Sequence, residues 1–130
     1  MKLLLIGSRG MLAQDLIKVF GRNNDLILAD KENLDVTNEL ATKKFIEKEK
    51  PGIIINASAF TDVDEAEAHK EEAFLVNSLA VKYLAETTVQ NSCLLVHFST
   101  DYVFVPRKAE IMDIFNRVRG FLRKDIKNVV

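Results

Sequence analysis

Four short apolar runs, Lys2–Ile6, Leu26–Ala29, Ile53–Ile55 and Leu94–Phe98, recur along the chain, and the stretches between them are long enough to hold helices. The runs are apolar at nearly every position rather than at every second one. Such strands are covered on both faces, as in a parallel sheet sandwiched by helices. The intervening segments carry helical spacing: Met11–Phe20, Leu40–Lys50 after a polar stretch, and a long run Glu71–Gln90 bearing Ala73, Phe74, Val76, Leu79, Ala80, Tyr83 and Leu84. Gly21 and Pro51-Gly52 punctuate them. Strands alternating with helices predict β-α-β units and an α/β fold. The expected architecture is a Rossmann-like doubly wound parallel sheet of about four strands in the order 3-2-1-4, truncated, with a C-terminal helix.

The 130 residues are 48% hydrophobic and 28% charged. That is one domain's worth of chain, able to bury a core and too hydrophobic for disorder. No apolar run approaches the ~20 residues that span a bilayer. Met1-Lys2 leads straight into the first strand with no signal-peptide pattern, so a cytoplasmic location is expected. The single cysteine, Cys93, forms no internal disulfide and fits a reducing compartment.

A net charge of −1 hides an uneven distribution. Residues 1–105 hold 11 Lys and Arg against 16 Asp and Glu, a net of −5; residues 106–130 hold 7 against 3, a net of +4. The division predicts an acidic α/β domain over 1–105 and a basic amphipathic helix over 106–130. In the latter, Ile111, Met112, Ile114, Phe115, Val118, Phe121, Leu122 and Ile126 form a stripe suited to packing on the same domain or on a partner subunit. The basic density is too low for a nucleic-acid partner.

The first strand runs into Gly7-Ser8-Arg9-Gly10-Met11-Leu12-Ala13. At a strand-to-helix junction this spacing suits a pyrophosphate. Gly7 gives the tight turn, Gly10 admits close backbone approach, and small Ala13 lets the helix pack on the strand. The helix N-terminus adds free N–H groups and partial positive charge. Asp30, 20 residues after Gly10 at the end of the second strand, stands where an acid hydrogen-bonds an adenosine ribose. The acid favours NAD; Arg9 and Lys31 offset it and leave NADP open.

Beyond these features, five strings resemble the dTDP-4-dehydrorhamnose reductases of the extended short-chain dehydrogenase/reductase superfamily. They are Leu4–Gly7 with Gly10-Met11-Leu12, Leu34-Asp35-Val36-Thr37, the run Pro51–Asp64, Ala73-Phe74-Leu75-Val76-Asn77, and Ser99-Thr100-Asp101-Tyr102-Val103-Phe104. The resemblance covers residues 1 to about 104. It implies an NAD(P)H-dependent oxidoreductase fold that reduces a 4-keto nucleotide sugar in dTDP-L-rhamnose synthesis. It also implies that Gly7, Gly10, Met11 and Leu12 hold the pyrophosphate, that Asp30 meets the ribose, and that Asp35 and Val36 flank the adenine. Ser58, Ala59 and Phe60 would line the far side of the dinucleotide, and Phe98 and Ser99 would lie beneath the nicotinamide. Thr100 matches the catalytic hydroxyl and Asp101 a substrate contact.

The superfamily's proton donor is a tyrosine in Tyr-x-x-x-Lys. Here Tyr83 and Tyr102 are followed four residues on by Thr87 and Pro106. The sequence therefore predicts cofactor binding without complete catalysis. The alternatives are a non-enzymatic oligomerising or regulatory module, for which a homo-oligomer stays open, and a gene fragment with a replaced C-terminus. The acids Asp62, Asp64, Glu65 and Glu67 beside His69 suit a helix start rather than a metal, so no metal is expected. His97 reads as a packed histidine and Cys93 as a buried thiol.

Overall fold

The computed structural model describes residues 1–22 and 24–99. Four strands, β1 (Lys2–Ile6), β2 (Asp25–Ala29), β3 (Ile53–Asn56) and β4 (Leu94–His97), form one sheet, with every pairing parallel. Five α-helices connect them: α1 (Met11–Phe20), α2 (Glu39–Glu49), α3 (Val63–Ala68), α4 (Lys70–Phe74) and α5 (Ala80–Gln90). The expected strand and helix boundaries over 2–56 hold to within one residue.

Alternate strand residues feed two cores, as the period of two in a strand requires. Leu5 and Ile55 meet Ala13, Leu16, Ile17 and Phe20 of α1 on one face. Leu4, Ile6 and Ile54 meet Ile46 of α2 and Ala80 and Leu84 of α5 on the other. Full burial of each such side chain stabilises by about 1.5–3 kcal/mol.

The strand order is β2-β1-β3-β4, not 3-2-1-4. The correction follows from which face each helix covers. A right-handed crossover through α1 carries the chain from β1 to β2 in one direction. Helix α2 lies on the opposite face, so the same handedness carries the chain back the other way, past β1 to its vacant side. There β3 pairs with β1, Leu4 opposite Ile54. Helix α5 shares the face of α2, so β4 lands beyond β3, Ile55 opposite Val96.

No strand forms between β2 and α2. The segment 30–38 is irregular but ordered, its Leu34 and Val36 buried in the α2-side core. Asp35 Oδ1 accepts from the Thr37 N–H at 3.0 Å and from its hydroxyl at 2.6 Å, and Asn38 Oδ1 caps α2 through the Ala41 N–H at 3.0 Å.

The long helix expected over Glu71–Gln90 is also revised. The helical path begins earlier, at Val63, where Asp62 caps α3 through the Glu65 N–H. It breaks at His69 (φ −120°, ψ 52°) and continues through α4, a π-helical turn at Leu75–Leu79, and α5. The acids that open this path act as cap and first turn, favourable against the helix dipole. The stripe expected over Ala109–Ile126 lies outside the described residues. No helix among the described residues is long and apolar enough to cross a membrane.

Candidate functional site

At the carboxyl ends of β1, β2 and β3 lies a cleft of about 510 Å³. The chain builds it from five short segments. The glycine turn supplies Ile6, Gly7, Arg9 and Gly10, and the end of β2 supplies Asp30 and Lys31. The irregular segment contributes Leu34 to Thr37, the loop after β3 contributes Ala57 to Phe60, and the later helical path contributes Glu72, Leu75 and Val76.

Gly7 has φ +79°, a conformation that side chains disfavour. A Cβ there would stand 2.7 Å from the Ser58 nitrogen and 2.8 Å from the Ala57 carbonyl carbon. Gly7 is thus required twice, by its own dihedral and by the backbone leaving β3. Gly10 differs: its N–H donates to the Gly7 carbonyl at 3.0 Å, and a Cβ would meet only that oxygen, at 3.3 Å. Gln14 Nε2 donates to the Ser8 carbonyl at 2.8 Å and ties the turn to the helix. Ala13 is fully buried against Leu5 and Ile55, the close helix-to-strand packing expected of a small residue there. Gly10 is the N-cap of α1 and provides no side-chain cap, so the first-turn N–H groups remain available to an anion.

Two asparagines, neither among the expected site residues, shape the far wall. Asn77, in the π-helical turn, grips the backbone of Phe60: its Oδ1 accepts from the Phe60 N–H at 2.8 Å and its Nδ2 donates to the Phe60 carbonyl at 3.0 Å. π-turns of this kind recur at functional sites. Asn56, fully buried at the end of β3, accepts at Oδ1 from the Ser58 N–H at 3.1 Å and the Ser58 hydroxyl at 2.6 Å. Its Nδ2 must then face His97 Nδ1, 3.2 Å away. That ring nitrogen accepts, so His97 is the neutral Nε2–H tautomer, and burial pushes its pKa down. Burial likewise pushes the Cys93 thiol up. Both asparagines lie within the strings of the resemblance, but only their side-chain partners reveal a role.

The rim of the cleft is charged. Arg9 Nε lies 2.9 Å from Asp30 Oδ2, and its Nη1 donates to Glu32 Oε1 at 2.7 Å. The hydrogen bond to Glu32 and then the charges of Asp30 and Glu32 raise the guanidinium pKa further. Asp30 Oδ1 accepts from the Glu32 N–H at 3.0 Å. Lys31 Nζ lies 3.4 Å from Glu72 Oε1.

Of the residues expected at a dinucleotide site, Gly7, Gly10, Asp30, Asp35, Val36, Ser58, Ala59 and Phe60 line this one cleft. Met11 and Leu12 open α1 beside it and are exposed rather than lining it. Phe98 follows β4 as an exposed residue outside this lining, and Ser99 next to it is exposed. Thr100 and Asp101 lie outside the described residues.

A doubly wound parallel sheet with a glycine turn at the carboxyl end of its first strand defines a Rossmann-like α/β domain. The chain belongs to the family described as the RmlD substrate binding domain, whose model matches residues 1–117. That match runs on into the basic tail, past the point near 104 where the motif strings end.

A dTDP-4-dehydrorhamnose reductase of Aggregatibacter actinomycetemcomitans is 39% identical over 105 residues, 79% of this chain and 36% of that protein. One from Escherichia coli is 34% identical over 115 residues, 85% of this chain and 38% of its own. Among solved structures, a dTDP-4-dehydrorhamnose reductase from Clostridium acetobutylicum superposes with a TM-score of 0.76 at 38% identity, covering 80% of this chain and 38% of that one. The Bacillus anthracis enzyme, solved in complex with NADP, gives a TM-score of 0.74 at 32% identity, covering 80% and 38%. The chain thus spans well under half the length of the relatives it matches.

Proposed function

We propose that this chain is the NAD(P)(H)-binding portion of a dTDP-4-dehydrorhamnose reductase-like protein. One observation carries the reading: eight residues chosen from sequence as dinucleotide contacts, scattered from Gly7 to Phe60, converge on a single cleft at the carboxyl ends of parallel strands. The relatives named as dTDP-4-dehydrorhamnose reductases, and the NADP in one of their structures, support the same assignment.

The residues present fit the cofactor. The uncapped first turn of α1 and the close approach permitted at Gly10 suit the pyrophosphate, with Met11 and Leu12 supplying backbone N–H groups. Asp30 takes the adenosine ribose, Asp35 and Val36 flank the base, and Ser58, Ala59 and Phe60 form the opposite wall. By the resemblance, Phe98 and Ser99 would lie beneath the nicotinamide, Thr100 would offer a hydroxyl to the substrate carbonyl, and Asp101 would contact the sugar nucleotide. The cofactor, when bound, supplies the hydride. What this chain lacks is the tyrosine–lysine pair that would donate the matching proton, since neither Tyr83 nor Tyr102 has a lysine four residues on. The chain alone therefore binds cofactor and does not turn over a 4-keto sugar nucleotide.

Isothermal titration of the chain with NADH and NADPH tests binding; no heat at millimolar cofactor refutes it. Turnover of the 4-keto sugar nucleotide by the isolated chain refutes the absence of catalysis.

One observation favours a second reading, association between copies. β4 is an edge of the described sheet; its Leu94 and Val96, in register with Ile53 and Ile55 on the α1 side, are exposed, as is Phe98 just past the strand. Light scattering decides it: a monomer at all concentrations, unchanged by Val96→Glu, rejects association through β4.

A further inference from the structure

We infer that His97 is a positioning residue for the cofactor cleft. Neutral, it fixes the Asn56 amide that holds the Ser58 wall; a proton on its Nδ1 reverses that amide and loosens the wall. The inference rests on the cofactor reading above and concerns how a side chain outside the cleft lining sets the affinity of the cleft.

The contacts run from the edge strand to the cleft through one buried residue. The Ser58 N–H can only donate, and it lies 3.1 Å from Asn56 Oδ1, with the Ser58 hydroxyl 2.6 Å from the same oxygen. This fixes which way the amide faces and leaves its Nδ2 towards His97 Nδ1, 3.2 Å away. Parallel pairing places Asn56 and His97 opposite each other at the carboxyl ends of β3 and β4. Asn56 is fully buried, so water does not replace a lost partner. Ser58 in turn lines the cleft, and a Cβ on Gly7 would stand 2.7 Å from its nitrogen. The position of Ser58 therefore sets the wall that faces the glycine turn.

A proton on Nδ1 turns an acceptor into a donor and sets two donors 3.2 Å apart. Half a turn of the amide presents Oδ1 to His97 but brings Nδ2 against the Ser58 N–H. The Ser58 hydroxyl can rotate to accept; the main-chain N–H cannot, and a buried donor without a partner is costly. The Ser58 backbone then moves, and the cleft loses the shape that suits the cofactor. Little else acts on the ring. β4 packs on β3, which carries no titratable side chain, and on α5, whose titratable groups are Lys82, Tyr83 and Glu86. Lys82 and Glu86 lie 3.8 Å apart as a pair. Burial favours the neutral ring, and the Asn56 main-chain carbonyl, which already holds the Phe98 N–H at 3.3 Å, opposes it more weakly. No charged side chain of the described residues adds to that balance. By linkage, a cofactor that needs the ordered wall holds His97 neutral in return.

Titration calorimetry of the full chain with fresh NADH, at a series of pH values on both sides of the ordinary histidine pKa, tests this. The affinity is expected to be level above about pH 6.5 and to fall below it, by up to about tenfold per pH unit, the limit for one proton. His97→Gln keeps an acceptor for Asn56 but cannot gain a proton there, and is expected to lose the slope. Amide NMR of the folded wild-type chain reads the clamp without cofactor. The Ser58 amide signal is expected to move with the His97 ring over the same range, while the Leu4 signal in β1 stays put. A level affinity in the wild-type chain, an equal slope in His97→Gln, or a Ser58 signal that ignores the ring overturns this inference and leaves the cofactor reading standing. No heat from NADH or NADPH at neutral pH overturns both.

Discussion

Replacing Gly7 by alanine perturbs the two requirements that meet at one atom. At φ +79° a residue with a Cβ is strained by about 1–2 kcal/mol. The new methyl would also sit 2.7–2.8 Å from backbone atoms of Ala57 and Ser58, well inside van der Waals contact. Those atoms cannot swing aside as a flexible side chain would. The Ala57 N–H is fixed to the Ile6 carbonyl at 2.9 Å, and the Ser58 N–H is fixed to Asn56. Relief therefore requires a backbone shift, which costs about 1–3 kcal/mol on the scale of an overpacked core. The expected loss is about 2–5 kcal/mol, a large part of a small domain's stability. Gly10→Ala is the internal control. Its backbone is extended (φ −68°, ψ 156°) and its Cβ would touch only the Gly7 carbonyl oxygen at 3.3 Å, so it should lose less than about 1 kcal/mol. Urea unfolding followed by circular dichroism measures both. Equal destabilisation by the two variants, or a Gly7→Ala chain as stable as wild type, would refute the reasoning.

Two further outcomes follow from the hydrogen bonds of the far wall. Asn77→Ala removes both bonds to Phe60 and should cost about 1 kcal/mol, the low end for two bonds because both are exposed. It should also speed amide exchange in residues 57–62 without changing exchange in β1, which mass spectrometry resolves. Because burial lowers the folded pKa of His97, the unfolded chain binds more protons below the ordinary histidine value. Stability contributed by neutral His97 is thus complete above about pH 6.5 and is lost as pH falls below it towards the folded pKa. Urea midpoints measured across that range should show this slope, and His97→Gln, which can accept from Asn56 without titrating, should flatten it. A slope that survives the substitution would assign the proton to another group.

The local elements were legible because their signals are local. The apolar runs of β1 and β3 and the amphipathic spacing of α1 identify themselves, and Gly7, Gly10 and Asp30 sit where spacing alone places them. What escaped depends on contacts across the fold. The order of strands turns on which face α2 covers, and Leu34 and Val36 enter that same core from an irregular segment that reads as polar loop. The π-turn is invisible because Leu75–Leu79 keeps an ordinary helical composition, and the extra residue per turn shows only when Asn77 meets Phe60. Arg9 drew notice as a possible offset to Asp30, but nothing in the spacing pointed to Glu32 as its bidentate partner.

The revised strand order is what makes the site intelligible. In the order 3-2-1-4 the segment after β3 would emerge on the outer side of β2, with Asp30 between it and the glycine turn. Ser58, Ala59 and Phe60 could not then face Gly7. With β3 beside β1, Asn56 pairs with Ile6 at the carboxyl end, and the loop that follows passes directly against the Gly7 backbone. The two crossovers flanking β1 leave on opposite faces of the sheet, and the gap where they diverge is the crevice in which doubly wound sheets bind ligands. Gly7 stands at that point, with Asp30 on the β2 side and Ser58 on the β3 side. A glycine is needed there because two strand ends and a helix start converge within a few ångströms, leaving room for a backbone but not for a side chain.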